Sequence, residues 1–178
     1  MRLLELVRGA STLLLGLYAG GVFFVVVAPS LGRLPGPAYV RYWQALNTDY
    51  GRAMPPLLLT CAVLLLATSA LSYGRGRLVF GITVGVLLLV VATVVLTVTQ
   101  LEPLNRLADT WDADRLPDDW AAARDRWLTL HAVRTVIAVV AFAALLTAQA
   151  VDRGQAGVGR AAAIGSRVRA GAGRTVGQ

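Results

Sequence analysis

Four long apolar runs without a charged residue constrain this chain more than any other feature of its sequence. The first three are 9–32, 53–74 and 78–101, and the strictly uncharged part of the fourth is 135–151. An α-helix rises about 1.5 Å per residue, so roughly 20 residues cross a hydrocarbon core of about 30 Å. The first three runs are long enough, and the fourth becomes so if it begins near Leu128. We therefore predict an all-α integral membrane protein with spans at about 9–32, 53–74, 78–101 and 128–151.

The connections between these runs alternate between long and short. Residues 33–52 and 102–127 form long connections, whereas the second and third runs are joined by only three residues, 75–77. This order predicts an up-down four-helix bundle in residues 1–152, with two long outer loops at the same end. Residues 153–178 are rich in glycine, alanine and arginine. Because they hold few large apolar residues to bury, we predict a disordered tail there.

The orientation prediction depends on arginine, because the chain has no lysine. The end that holds both termini has nine arginines and two acidic residues, and the other end has eight of each. With Arg75 and Arg77 in the short connection, the positive-inside rule predicts cytoplasmic termini in a multi-pass protein of the cell membrane. The net charge of +7 lies on these inner segments. It therefore favours anionic lipid headgroups at the tail as partners, rather than nucleic acid.

The first run is predicted to be a retained span rather than a signal peptide. The run, 9–32, is 24 residues long and exceeds the roughly 7 to 15 residues of a signal-peptide apolar region. The single cysteine, Cys61, lies within the second run and can form no disulfide within the chain.

A stripe of polar and aromatic residues leads into the fourth run. Its members are separated by four, three, four and three residues, which places them on one face of a helix: Trp120, Arg124, Trp127, His131 and Arg134. Pro117 and the two acids after it suit the start of such a helix. An arginine at the centre of a span costs about 2.5–3.5 kcal/mol, so we predict that the stripe faces a cavity between the helices. The alternative is that Arg134 anchors the helix at the membrane interface, His131 is a satisfied interfacial polar residue, and Trp127 belongs to an interfacial aromatic belt.

The third run adds polar groups at the same end of the predicted bundle. Thr93, Thr97 and Gln100 share one helical face, and Glu102 and Asn105 follow. Buried amides are costly without partners, so Gln100 and Asn105 point to a site rather than to packing. With one histidine, one cysteine and acids that lack ligand spacing, we predict no metal site. A haem held by His131 alone would have no second ligand signal.

These residues resemble a known family. PLN at 103–105, RxRW at 124–127, His131 and RT at 134–135 are similar to motifs of the anthrone oxygenase family, which comprises small four-helix membrane proteins. GxxxGxxFF at 16–24, YW at 42–43 and PP at 55–56 resemble the first half of that family, so the likeness covers about 9–150. It implies oxidation of anthrones to anthraquinones by molecular oxygen as co-substrate, without a bound cofactor. The shared motif falls on Asn105, Arg126, Trp127, His131 and Arg134, and the resemblance assigns them no roles.

Roles for these residues follow from the chemistry that an anthrone would need. His131 titrates near neutral pH and is the natural base for an acidic methylene. Arg134 and Asn105 would stabilise the enolate oxygen, and Trp127 would stack on the ring system. These form the predicted catalytic and stacking set. The remaining predicted substrate-binding residues are Gln100, Trp120, Arg124 and Arg126.

A second function remains open on the sequence alone. A non-enzymatic membrane protein could bind a lipophilic ligand, or serve as a subunit of a transporter or membrane enzyme. A secondary transporter is disfavoured because the four runs show neither an inverted repeat nor a broken helix. The expected partners are the lipid bilayer and a hydrophobic aromatic molecule, and a homo-oligomer is left open.

Overall fold

The computed structural model describes residues 2–28, 30–74 and 76–172, and within them it contains helices and no strand. The helices are α1 (Arg2–Val27), α2 (Gly36–Ser72), α3 (Arg77–Leu96), α4 (Glu102–Asp109) and α5 (Trp120–Ala172). A short 3-10 turn, Leu31–Arg33, lies between α1 and α2, and a π-helical segment, Thr97–Leu101, joins α3 to α4. Four helical stretches are long and apolar enough to cross a membrane, which confirms the predicted integral membrane bundle.

The four long helices pack as a square. α1 and α3 each contact both α2 and α5, so α1 lies diagonally opposite α3. We call the end that holds α4 and the α1–α2 connection the loop end, and the end that holds the α2–α3 turn the terminal end. Large apolar side chains cover the outside of every long helix, as Leu13, Leu66, Leu88 and Val136 show, each more than 60% exposed. Such a surface requires lipid rather than water around it.

The centre of the bundle is close-packed and apolar. Each long helix contributes a side chain that is at most 1% exposed, as in Leu15, Leu65, Val86 and Leu145. Gly16 allows α5 to approach, because a Cβ there would lie 3.1 Å from the Phe142 ring. Small residues at such contacts are typical of helix packing in membranes.

A buried polar network ties three helices together at the terminal end. Arg8 of α1 forms an ion pair with Asp152 of α5, and its Nη2 donates to Ser72 Oγ of α2 at 3.0 Å. Nearby, Gln149 Nε2 donates to Thr12 Oγ1 at 2.6 Å. On the sequence alone, Arg8 and Asp152 counted only among the charges of the inner segments. The structure instead buries both, at 9% and 7% exposure, which gives the terminal end a fixed register between α1 and α5.

The first long connection is mostly helical rather than a loop. α2 begins at Gly36, with a proline in its first turn, and continues through Pro55 and Pro56 to Ser72. Its first part has an apolar face of its own, on which Tyr39 and Trp43 are each 1% exposed. Burial of that face outweighs the loss of two backbone N–H donors at the prolines. The 37 residues of α2 span about 55 Å, so the helix extends past a hydrocarbon core of about 30 Å.

The predicted start of the fourth helix agrees with the structure, and its end lies further along the chain. α5 begins at Trp120, directly after Pro117 and the two acids, with Trp120 N donating to Pro117 O at 3.2 Å. It continues to Ala172, through most of the segment predicted to be disordered. Alanine and arginine favour a helix, and extending an existing helix avoids the unfavourable nucleation step. Residues 173–178 of the predicted tail lie outside the described residues.

Candidate functional site

A cavity of about 270 Å³ opens near the loop end of the bundle, with walls from α1, α2, α3, α4 and α5. Part of its lining is apolar and includes Val22, Met54, Leu58 and Val94. The lining also carries polar and aromatic groups: Tyr18, Trp43, Glu102, Asn105, Trp127, His131 and Arg134. A concave, mainly apolar space with a few converging polar groups is the usual form of a small-molecule site.

Asn105 holds two tryptophans together at the cavity wall. Its Oδ1 accepts hydrogen bonds from Trp43 Nε1 at 3.1 Å and from Trp127 Nε1 at 2.8 Å. The two rings lie 5.3 Å apart between centroids. Because indole nitrogens only donate, these contacts fix the orientation of the amide, and its nitrogen makes no hydrogen bond to another described residue. Asn105 therefore positions the two tryptophans and keeps its amide NH₂ group available to a ligand.

Removing the shared acceptor should destabilise the loop end. In Asn105→Leu, two buried indole N–H groups lose their partner, at about 1–3 kcal/mol for each. Asn105→Asp replaces the amide donor with a carboxylate charge but keeps an oxygen acceptor for both indoles, so it should unfold at a higher temperature than Asn105→Leu. Thermal unfolding followed by tryptophan fluorescence separates the two variants. Equal melting temperatures for Asn105→Leu and the wild type would contradict the structural role.

His131 is engaged at both ring nitrogens. Nε2 lies 2.9 Å from Val22 O of α1, and Nδ1 lies 2.6 Å from Arg134 Nη2. A carbonyl oxygen only accepts and a guanidinium only donates, so Nε2 carries the proton and Nδ1 is the acceptor. The ring also stacks on Trp127 with 4.9 Å between centroids. His131 is therefore held as one defined neutral tautomer, and its basic atom lies beside Arg134.

Arg134 is a cation on the cavity wall that lacks a nearby acid. Across the part of the chain that the structure describes, no carboxylate lies within ion-pair distance of it. Its Nε is buried and has no hydrogen-bond partner among the described residues. The acidic side chain on the cavity wall, Glu102, instead pairs with Arg106 at 2.9 Å. The cavity thus presents a positive charge with spare donor capacity.

The predicted site residues divide into two groups. Asn105, Trp127, His131 and Arg134 lie together on the cavity wall. The other four lie outside it and form two pairs. Arg126 Nη2 donates to Gln100 Oε1 at 3.1 Å, and the Arg124 guanidinium lies 5.0 Å from the centre of the Trp120 ring. The substrate-binding role predicted for these four stays a prediction.

Gln100 lies within the π-helical segment, Thr97–Leu101, and does not line the cavity. The sequence places Gln100 on one helical face with Thr93 and Thr97, of which only Thr97 lines the cavity. Glu102 and Asn105 line it instead, together with Val94 and Val98.

Sequence reasoning missed two important members of the wall. Trp43 is one of the aromatic residues that a membrane-interface belt would explain, but it is 1% exposed and lines the cavity. Tyr18 lies within the first apolar run, where its hydroxyl would need a partner, and this was the available signal. Within the described residues, no group of three or more His, Cys, Asp or Glu side chains is suitably placed for a metal ion.

One comparison with known proteins gives a match. A family model described as anthrone oxygenase matches residues 43–144, which is more than half of the chain. The matched range contains Trp43, Asn105, Trp127, His131 and Arg134, whereas Tyr18 precedes it. No curated protein and no solved structure matches the chain.

Proposed function

Since the chain belongs to the anthrone oxygenase family, we propose that it is a membrane-embedded oxygenase for a flat, hydrophobic, anthrone-like or quinone-like aromatic molecule. The observation that supports this most is the cavity, which combines a tryptophan wall with a cation that has no acidic partner among the described residues. The first feature suits an aromatic ring system, and the second suits the negative charge that develops when such a ketone loses a proton.

The size and lining of the cavity support a compact lipophilic ligand. Its 270 Å³ lies just below the range of about 300–1,000 Å³ for small-molecule sites. Trp43 and Trp127 supply flat surfaces, and Met54 and Leu58 supply apolar contacts. A ligand of this kind partitions into lipid, so a site within the bundle receives it from the bilayer.

Proton removal is the first proposed step. The methylene carbon beside the aromatic rings gives its proton to His131 Nδ1, and the electron pair moves onto the ring system and the carbonyl oxygen. Nδ1 accepts from Arg134 in the structure, so Arg134 must release it as the ligand binds. The guanidinium then donates to the new oxyanion, as does the amide nitrogen of Asn105. His131 thus becomes available as a base at the moment when Arg134 gains an anionic partner.

Molecular oxygen reacts in the second step. The ligand anion passes one electron to oxygen, and the resulting radical pair combines into a carbon-bound hydroperoxide anion. That anion takes the proton held by His131, and loss of water with the remaining C–H bond leaves a carbonyl. One methylene and one O₂ therefore give one C=O and one H₂O. His131 is neutral again once it has given up this proton, and no bound cofactor takes part in the proposed reaction.

Two variants of His131 test the base assignment. We expect the wild-type protein in detergent to consume oxygen with an anthrone above the rate without protein, and to form the quinone. Because general base catalysis contributes about 10²–10⁴-fold, His131→Ala should lose at least a hundredfold. His131→Asn retains an acceptor for Arg134 but cannot act as a base, so it should be as inactive as His131→Ala.

The outcomes separate three cases. Full turnover by His131→Asn would show that His131 only positions Arg134. Full turnover by His131→Ala would show that His131 has no part in the reaction. No oxygen uptake by well-folded wild-type protein would reject the oxygenase function, and leave ligand binding or a subunit role as the function of the cavity.

The cellular setting is also a proposal. We propose that the protein lies in the cell membrane with both termini in the cytoplasm, because arginine exceeds acidic residues at the terminal end. Anionic lipid headgroups would then contact the arginine-rich segment after Asp152.

A further inference from the structure

Tyr18 and Arg134 present unused hydrogen-bond donors on the wall of one cavity. From this juxtaposition we propose that the two residues bind the ligand as an oxyanion, so that the cavity selects an ionised phenol or enol over its neutral form. Tyr18 donates its O–H to the anionic oxygen, and Arg134 is the counter-ion. The proposal deepens the proposed function by naming the ionisation state that the site recognises, and it depends on that function only for the ring system of the ligand.

The Tyr18 hydroxyl is the first observation that supports this proposal. Tyr18 is 2% exposed, and its hydroxyl has no hydrogen-bond partner among the described residues. A buried tyrosine hydroxyl normally finds a partner, because leaving it unpaired is unfavourable. Since Tyr18 lines the cavity, a bound ligand can supply the missing acceptor. The hydroxyl of Tyr39 also lacks a partner, but Tyr39 does not line this cavity.

The charge of the cavity is the second observation. Arg134 lies on a membrane-spanning stretch and has no carboxylate within ion-pair distance in the described ranges. Its buried Nε is unused, and it lines the same cavity as Tyr18. An unpaired charge in a membrane span is unfavourable. An anionic oxygen between the two residues satisfies both of them, whereas a neutral carbonyl leaves the charge of Arg134 uncompensated.

An anaerobic dye titration tests the proposal without any oxidation. The probe is 2-hydroxyanthraquinone, a flat phenol whose visible absorption spectrum changes when it ionises. With wild-type protein in detergent, we expect the bound dye to ionise at least one pH unit below the free dye. Tyr18→Phe should bind the ionised dye at least tenfold more weakly, because a hydrogen bond to a charged group is lost. It should also show a smaller shift of the ionisation midpoint.

Tyr39→Phe is the matched control. It removes a similarly buried and unpartnered hydroxyl from a residue that does not line this cavity, so its dye affinity and midpoint should equal those of the wild type. The methyl ether, 2-methoxyanthraquinone, cannot ionise. It should bind equally to the wild type and to Tyr18→Phe, and this shows that the variant cavity is intact.

The results that would overturn the proposal are separate from failure of the oxygenase function. A dye that binds wild type in its neutral form, or does not bind, would overturn it. Equal affinity of wild type and Tyr18→Phe for the ionised dye would do the same, as would equal losses for the ionised dye and its methyl ether. If the wild type ionised the bound dye but took up no oxygen with an anthrone, the anion site would stand and the oxygenase function would be rejected.

Discussion

Replacing Arg134 with glutamine is expected to lower oxygen uptake with an anthrone by about 10²–10³-fold, the usual effect of losing a donor to a developing oxyanion. Glutamine removes the positive charge, and its shorter side chain takes the remaining donor out of reach of the oxyanion. The expected loss is therefore in turnover, while the tryptophan wall and the apolar side of the cavity keep their contacts.

The measurement is oxygen uptake per folded protein, compared with Arg41→Gln. Arg41 lies at the same end of the bundle and pairs with Asp114 at 2.6 Å, but it is 60% exposed and away from the cavity. Its variant should behave as the wild type. Equal uptake by Arg134→Gln and Arg41→Gln would show that the charge of Arg134 plays no part in the reaction.

Removing the carboxylate of Asp152 is expected to destabilise the protein by about 3–5 kcal/mol, because one member of a buried ion pair then remains without its counter-charge. Arg8 retains only its hydrogen bond to Ser72. The double replacement Arg8→Met with Asp152→Leu removes both charges and should recover most of the loss. Thus the single variant Asp152→Ala tests whether the ion pair is buried. The double variant tests whether the loss of stability comes from the unpaired charge.

Unfolding of the purified protein in detergent gives the comparison. Asp114→Ala is the control, since it removes the acid of an exposed pair, Arg41–Asp114, which should contribute at most about 1 kcal/mol. Oxygen uptake measured before unfolding should be little changed in the double variant, because the pair lies at the terminal end. Equal unfolding midpoints for Asp152→Ala and Asp114→Ala would contradict a stabilising role for the buried Arg8–Asp152 ion pair.

The membrane bundle could be predicted from sequence because lipid imposes a simple rule. Every backbone polar group in the hydrocarbon must be bonded internally, so an apolar run of sufficient length has essentially one solution, a helix. The same regularity placed Trp127, His131 and Arg134 on one face, and in the structure they share the cavity wall. Local spacing sufficed for these residues because one uninterrupted helix carries them all.

The remaining features depend on contacts between distant parts of the chain. Arg8 and Asp152 are 144 residues apart, and Trp43 and Asn105 are 62 apart, so no periodicity connects them. The start of α2 could not be predicted, because its prolines suggest a loop and its aromatic residues also suit a membrane interface. The π-helical segment was hidden because its sequence, TVTQL, continues an ordinary apolar helix. Tertiary packing determines each of these features.

The π-helical segment between α3 and α4 is a place where the chain can lose a residue without changing the lining of the cavity. Successive residues of an α-helix advance by about 100° around its axis. Because the π turn already holds one extra residue, losing one residue within 97–101 would restore regular α-helical turns and leave Glu102 and Asn105 on the cavity wall, whereas losing one within α3 would turn both away together. Gaining or losing a residue in the exposed stretch near Arg115, between α4 and α5, would leave that face in place. The lining of the cavity can therefore change in two ways, by substitution of a lining residue or by a change of register within α3.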